Sequence, residues 1–140
     1  MNILIDTNVA LDILLNRQPG YINAALIFSM TKQKTIESYI SASAITDIFY
    51  IARKELGKKP TKEALKTLLN VFRPAAVTDS HIFQALDMDW DDFEDSVQYT
   101  VGKSLAVDYI VTRNVQDFSF GLIPAVTPEH FIQAVAEIEK

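Results

Sequence analysis

The sequence has 140 residues, of which 49% are hydrophobic, so its length and composition suit one globular domain with a buried core. Its formal net charge of −5 argues against a protein that coats nucleic acid, because such a protein needs a basic face to neutralise phosphates. The lack of cysteine excludes disulfides and thiolate metal sites and suits a reducing cytoplasm, which is the predicted location.

The first apolar segment predicts neither a signal peptide nor a membrane anchor. No basic stretch precedes it, and it carries Asp6 and Asp12. No run in the sequence approaches the roughly 20 apolar residues that a membrane span needs. We therefore predict no membrane partner.

The chain alternates short apolar runs with segments of helical periodicity. Residues 2–5, "NILI", end at the polar Asp6 and predict a buried strand, and apolar residues at helical spacing predict a helix over 8–16. Further strands are predicted over residues 36–42, 75–78, 108–112 and 124–127. Further helices are predicted over 21–34, 44–56, 61–73, 80–88, 91–106 and from Thr127 onwards. The predicted helix caps are Ser43, Asp79 and Thr127, and the predicted helix stop is Gly57.

Strands that are apolar on both faces and alternate with helices predict a parallel sheet between helical layers. The predicted fold class is α/β, a three-layer α/β/α sandwich with a central parallel sheet. One domain is expected over residues 1–140. In such sheets, ligands bind just beyond the carboxyl ends of the strands.

Acidic residues fall at this edge of the predicted sheet. Asp6 ends the first strand, Asp47 is expected in the first turn of the helix after the second strand, and Asp117 follows the fourth strand by five residues. Asp92 and Asp95 are three residues apart, so they share one face at the start of their helix. We therefore expect carboxylates from four segments to converge.

Clustered carboxylates without cysteine or a convergent histidine are typical ligands of Mg²⁺ or Mn²⁺. Such an ion lowers the pKa of a bound water and polarises a phosphodiester oxygen. The pattern therefore favours a hard divalent cation. No residue has the setting of a covalent nucleophile.

Four stretches carry a resemblance to a known family: "ILIDTNVALDILLNR", "SASAITDIFYIARK", "DWDDFED" and "DYIVTRNVQDF". They resemble the successive motifs of the PIN domain family, which includes VapC-type toxins of bacterial toxin–antitoxin pairs. The resemblance runs from residue 1 to about residue 130. It implies an endoribonuclease that uses Mg²⁺ or Mn²⁺ and cleaves RNA, forms a homodimer and has a cognate antitoxin.

Carried over by position, the resemblance implies that Asp6, Asp95 and Asp117 hold one or two divalent ions, directly or through water. Asp47 is then the fourth catalytic acid. The supporting residues are expected to be Thr7, Asn8, Asp92 and Asn114. Arg113, beside the last motif, is the best placed of the basic residues for a contact with RNA phosphate.

Two departures from the family pattern leave alternatives open. The second family acid is usually Glu, whereas this chain has the shorter Asp47, which could also serve only the dipole of its helix. Many relatives carry Asp where this chain has the neutral Asn114. One alternative is thus a PIN-fold binding module without catalysis. A receiver-type signalling switch is another, but it needs an acidic pair after the first strand and a late lysine, where this chain has "DTN" and "TRN".

The remaining polar and aromatic residues near these motifs have simpler interpretations. Asp89 and Asp91 are expected to be solvated or to cap the helix, and Glu94 is not assigned. Asp12, six residues after Asp6, lies on another helix face and is either a surface residue or hydrogen-bonded within the helix. Three aromatic residues are expected to pack rather than stack on bases: Trp90, Phe93 and Phe118. The two histidines, His81 and His130, are expected to be structural.

Overall fold

The computed structural model describes residues 1–139, and Lys140 of the predicted domain lies outside the described residues. The strands are β1 (Asn2–Ile5), β2 (Glu37–Ser41), β3 (Arg73–Ala75), β4 (Tyr109–Val111) and β5 (Ala125–Val126). The helices are α1 (Thr7–Leu14), α2 (Gly20–Lys32), α3 (Ala42–Leu56), α4 (Lys58–Leu69), α5 (Asp79–Leu86), α6 (Phe93–Ser104) and α7 (Pro128–Glu139). A 3-10 helix, Val115–Phe118, lies between β4 and β5.

The strands form one parallel sheet in the order β3-β2-β1-β4-β5. Strand β1 is central and pairs with β2 on one side and β4 on the other, with Leu4 opposite Tyr39 and Ile110. The strand order reverses at β1, so a crevice is expected beyond the carboxyl ends of β1 and β4. The sheet thereby fixes where a ligand site can form.

The two faces of the sheet pack into separate cores because side chains alternate along each strand. Ile3 and Ile5 face a core built with α1, α2, α3, α4 and α7. Leu4 and Ile110 face a second core that includes Val101 of α6, against which α5 packs. The predicted three-layer sandwich is confirmed. Within residues 1–139, no helix has the length and apolar character needed to cross a membrane.

Several predicted helix boundaries are wrong by a few residues because a neighbouring residue provides the cap. Ser41, not Ser43, caps α3, and its Oγ accepts a hydrogen bond from Ala44 N at 3.3 Å. Asp47 is therefore in the second turn of α3 rather than the first. Thr78, not Asp79, precedes the first helical residue of α5. The caps at Thr127 and Gly57 are confirmed.

The region of α4 and β3 departs most from the prediction. Gly57, with φ of 85°, ends α3 and directly precedes α4, so α4 begins at Lys58 rather than at Thr61. Helix α4 ends at Leu69, and β3 covers 73–75 instead of 75–78. Pro74 lies inside β3 without penalty because β3 is an edge strand, where a missing N–H is tolerated.

Candidate active site

Asp6 lies where β1 ends and α1 begins, and its carboxylate is fixed by four donors. Oδ1 accepts from Thr7 N at 2.7 Å and from Gln98 Nε2 at 3.0 Å. Oδ2 accepts from Thr112 Oγ1 at 2.7 Å and from Asn8 Nδ2 at 3.1 Å. Asp6 is only 5% exposed. Because two oxygens offer about four acceptor positions, this carboxylate is held in one orientation by β1, α1, β4 and α6 together.

An open cavity of about 400 Å³ lies over Asp6 at the carboxyl edge of the sheet. Its acidic lining residues are Asp6, Asp47, Asp92, Glu94, Asp95 and Asp117. The other lining residues are Thr7, Asn8, Leu11, Tyr50, Ile51, Gln98 and Asn114. All four acids expected to be catalytic and all four supporting residues thus lie around one cavity, as the strand-end argument anticipates. Their roles remain to be tested.

Glu94, which the sequence left unassigned, faces into this cavity. Burial, then a hydrogen bond with Asp47 and the charge of Asp47, together raise the pKa of the Glu94 carboxyl to about 8. Thr7 Oγ1 donates to Glu94 Oε1 at 3.3 Å, which opposes that shift, and Gln98 Nε2 lies at the same distance from Oε1. Glu94 therefore links α6 to Asp47 of α3.

Asp95 is the second acid with an altered pKa. Burial raises the pKa of its carboxyl to about 7, with further contributions from the charges of Asp92, Asp6 and Asp117. Like charges that face one cavity without a cation disfavour ionisation. Burial is the largest cause of both raised pKa values, and the neighbouring acids of the cavity add to it.

Some acids of the stretch "DWDDFED" line the cavity, and one of them also caps α6. Asp92 caps α6, and its Oδ1 accepts from Asp95 N at 3.0 Å. Glu94 and Asp95 occupy the first turn of α6, where carboxylates interact well with the helix dipole. Asp89 and Asp91 are exposed. The expectation that they are solvated is confirmed, whereas the cap belongs to Asp92.

The segment after β4 brings Asn114 and Asp117 to the cavity. Asn114 N donates to Thr112 Oγ1 at 3.0 Å, and Asp117 N donates to Asn114 O at 3.0 Å. The segment is therefore built as a short hydrogen-bonded turn. Arg113 does not line the cavity; its Nε lies 3.4 Å from Asp12 Oδ2.

Sequence reasoning missed Gln98 and Thr112, two of the four donors to Asp6. Gln98 follows Glu94 by four residues and Asp95 by three, so helical spacing alone places it on their face of α6. Thr112 directly follows β4, as Asp6 follows β1. Both signals are present in the sequence.

Most of the aromatic residues pack as expected. Trp90 contacts Tyr99 and Phe118 with ring centroids 5.0 and 6.0 Å apart. For Phe93 the expectation is wrong, since it is 46% exposed at the first position of α6. Neither histidine lines the cavity. His81 is buried and bonds Ser104 Oγ at 2.9 Å through Nε2.

The donor set has the chemistry of a hard-cation site, although the side chains are not positioned as ligands. Carboxylate and amide oxygens suit Mg²⁺ or Mn²⁺, and the raised pKa values of Glu94 and Asp95 reflect charge that a cation would compensate. Within residues 1–139, however, no three Asp, Glu, His or Cys side chains are arranged to hold one metal ion. The donor atoms are therefore of the type that Mg²⁺ or Mn²⁺ binds, but their side chains have to move before they can coordinate one ion together.

These features define a class: an α/β protein with an acidic cavity at the switch point of a parallel sheet. The sequence model of the PIN domain matches residues 2–116, and the chain therefore belongs to the PIN domain family. The receiver-type alternative is thereby wrong. A comparison with curated proteins finds no match.

Several solved structures that share this fold are proteins of toxin–antitoxin systems. VapBC2 from Rickettsia felis, bound to a promoter DNA fragment, has a TM-score of 0.68 at 15% identity, covering 90% of this chain and 97% of that one. A toxin–antitoxin complex from Klebsiella pneumoniae has a TM-score of 0.65 at 21% sequence identity, covering 89% of this chain and 96% of that one. Mycobacterium tuberculosis VapC20, a sarcin-ricin loop cleaving toxin, has a TM-score of 0.62 at 16% sequence identity, covering 77% of this chain and 86% of that one. At these identities the likeness establishes the fold alone.

Proposed function

We propose that this protein is an endoribonuclease that hydrolyses RNA phosphodiester bonds with Mg²⁺ or Mn²⁺, as the toxin of a toxin–antitoxin pair. The observation that carries the proposal is the convergence of six carboxylates from four segments on one cavity, around an Asp6 held by four hydrogen bonds. Membership of the PIN domain family and the toxin–antitoxin origin of the structural neighbours support it.

In this proposal Asp6, Asp95 and Asp117 hold the divalent ion, directly or through water. When bound, the ion supplies a water of lowered pKa and polarises the scissile phosphate. Asn8, Gln98 and Thr112 keep the Asp6 carboxylate in a single orientation, so no free energy is spent on ordering it when substrate binds. Asp47 is the fourth acid, and Asn114 is a neutral oxygen donor at the cavity wall.

Glu94 and Asp47 form the part of the site that handles a proton. With a pKa of about 8, the Glu94 carboxyl of the metal-free protein keeps its proton at neutral pH beside Asp47. Asp92 acts through α6, because its cap fixes the first turn that carries Glu94 and Asp95. The remaining family features, a homodimer, a cognate antitoxin and a cytoplasmic location, are proposed on membership alone.

A second candidate is a PIN-fold binding module without catalysis. It is favoured by the four protein donors that already fill the acceptor positions of Asp6 and by the lack of a preformed ligand set among the described residues. The neutral Asn114 adds to it.

Cleavage of a fluorescent single-stranded RNA, with Mn²⁺ and with EDTA, separates the two candidates. The proposed nuclease cuts only with metal, and Asp6→Asn abolishes cutting while its circular dichroism spectrum stays that of the parent. Asp89→Asn, an exposed acid outside the cavity, is the matched control and should cut normally. RNA that stays intact at millimolar Mn²⁺ would leave the binding module as the function.

A further inference from the structure

Asp12 is a buried carboxylate behind the cavity that the proposed mechanism does not use. It is 1% exposed, and neither Oδ1 nor Oδ2 has a hydrogen-bond partner within residues 1–139. Burial raises the pKa of its carboxyl, while the charges of Arg113 and then Arg17 oppose that shift. A charge buried without hydrogen bonds is expensive. The guanidinium of Arg113, with Nε 3.4 Å from Oδ2, is therefore the contact that compensates it.

The structure keeps a space for this carboxylate. A Cβ atom at Gly20, the first residue of α2, would overlap Asp12 Oδ2. Glycine at this position therefore lets α2 approach α1 closely while Asp12 remains directed towards Arg113. The ion pair is thus built by three parts of the chain: α1, the start of α2 and the segment after β4.

Arg113 also ties its segment to the centre of the site through the main chain. Arg113 N donates to Asn8 Oδ1 at 3.2 Å, and Asn8 Nδ2 donates to Asp6 Oδ2. The next amide, Asn114 N, donates to Thr112 Oγ1, which also donates to Asp6 Oδ2. The segment 112–117 is therefore fixed at its backbone by partners of Asp6 and at one side chain by Asp12.

We infer that Asp12 is a positioning residue, which holds Arg113 by an ion pair and so sets where the segment 112–117 presents Asn114 and Asp117 to the cavity. Arg113 is then an anchor of that segment rather than a contact for RNA phosphate. The effect on metal and RNA rests on the proposed function, whereas the effect on the segment does not. Partners of this outer kind typically contribute about 10–100-fold to metal affinity or activity.

The first test follows amide hydrogen exchange of the metal-free protein in Asp12→Asn, Arg113→Ala and Arg113→Lys. We expect the amides of Asn114 and Asp117 to exchange about tenfold faster in Asp12→Asn and Arg113→Ala, with the strand β4 unchanged, because the loss is local. Arg113→Lys keeps the charge and should restore most of the protection. Unchanged exchange at 113–117 in both variants overturns the inference, whether or not the protein is a nuclease.

The chain offers a matched control. Arg17 Nη2 and Glu55 Oε1 also form an ion pair at 3.4 Å, but both side chains are exposed, at 37% and 57%. Glu55→Gln removes that pair and leaves Arg17, which also acts on Asp12, in place. It should change neither the exchange of 113–117 nor the metal response, because exposed pairs contribute little.

The second test measures the Mn²⁺ concentration that gives half of the thermal stabilisation, and RNA affinity in EDTA. We expect Asp12→Asn and Arg113→Ala each to raise that concentration about tenfold, the double variant to do no more than either, and RNA affinity to stay unchanged. Weaker RNA binding by Arg113→Ala with unchanged Mn²⁺ response would make Arg113 a phosphate contact and overturn the inference. A parent protein that does not respond to Mn²⁺ would refute the proposed function instead, and the exchange experiment would still decide the role of Asp12.

Discussion

Replacing Asp95 by asparagine should stabilise the metal-free protein while removing the proposed nuclease activity. Asn keeps the shape of the side chain but not the charge. The hydrogen bond from Asp95 to Asp92 Oδ1 is donated by the backbone N, which the substitution leaves in place. The Asp95 carboxyl has its pKa raised from 3.8 to about 7 by burial and by the charges of Asp92, Asp6 and Asp117. Ionising Asp95 therefore destabilises the folded parent, and this cost is absent in the variant, which has no charge at this position.

The size of the effect follows from that shift. A rise of roughly three units corresponds to about 4 kcal/mol if unscreened, but Asp95 is only partly buried, and solvent screening reduces this to about 1–2 kcal/mol. Losing a carboxylate from the first turn of α6 costs about 0.5 kcal/mol of helix-dipole stabilisation. The net gain at pH 8 is about 1 kcal/mol, or about 3 °C in Tm for a chain of this size.

The stability difference between Asp95→Asn and the parent depends on pH, and it grows as the pH rises. Near pH 4 the folded parent holds the Asp95 proton and the unfolded parent has released it only in part, so most of the stabilisation of the variant is absent. As the pH rises towards 7, the unfolded state releases the proton while the folded state keeps it, and the parent loses stability relative to the variant; above 7 the difference is constant. Glu94 titrates in both proteins, and its shift arises from burial, Asp47 and Asp6, so it cancels in the difference.

Thermal unfolding of both proteins in EDTA, from pH 4 to pH 8, is the assay. Asp89→Asn is the control, since an exposed acid outside the cavity should give no such difference. A variant that is equally or less stable than the parent at pH 8, or a difference that does not grow between pH 4 and pH 7, would refute the reasoning that like charges and burial act on Asp95 without compensation.

Three further predictions address the metal, the donors to Asp6 and the core. Mn²⁺ should raise the Tm of the parent at pH 8, because an ion that binds only the folded state adds about 2.7 kcal/mol to the free energy of unfolding at a hundredfold excess over its Kd. An unchanged melting curve at millimolar Mn²⁺ argues against a metal site. Gln98→Leu removes the donor shared by Asp6 and Glu94, so kcat for RNA cleavage should fall about 10–100-fold; Gln84→Leu, an exposed amide on α5, is the control, and equal rates for both would exclude an orienting role. Phe72→Ala truncates a fully buried side chain that contacts Phe28, and urea unfolding should show a loss of about 3–5 kcal/mol, whereas a loss below about 1 kcal/mol would mean that the core collapses around the gap.

The parts of the site that could be predicted are those fixed by chain order alone. Asp6 directly follows a buried strand, and Asp117 closely follows another, so a parallel sheet places both at one edge whatever the details of packing. Asp47 and Asp95 follow from the same argument with one uncertainty, the rotation of the helix that carries them. All four of these acids line the one cavity at this edge of the sheet.

The parts that could not be predicted depend on that rotation and on contacts between distant segments. Glu94 and Asp95 are neighbours in the first turn of α6, and periodicity alone does not decide which faces inward; both do, because the turn lies over the cavity mouth. Asp12 and Arg113 are about a hundred residues apart, and neither has a local signal for the other. Helical spacing places Gln98 on the face of Glu94 and Asp95, but its burial against Asp6 depends on how α6 packs on the sheet.

The departure at Asp47 has a structural counterpart on the facing helix. A side chain one methylene shorter than the usual Glu reaches less far from α3, and by itself this predicts a site with a missing acid. In this fold Glu94 of α6, a long acid, lines the same cavity as Asp47 of α3, and Asp47 is among the causes that raise the pKa of Glu94. With Glu94 in the cavity, six carboxylates line it even though Asn114 is neutral. The short acid on α3 is therefore matched by a long acid on α6, and its length alone gives no reason to expect a weaker site.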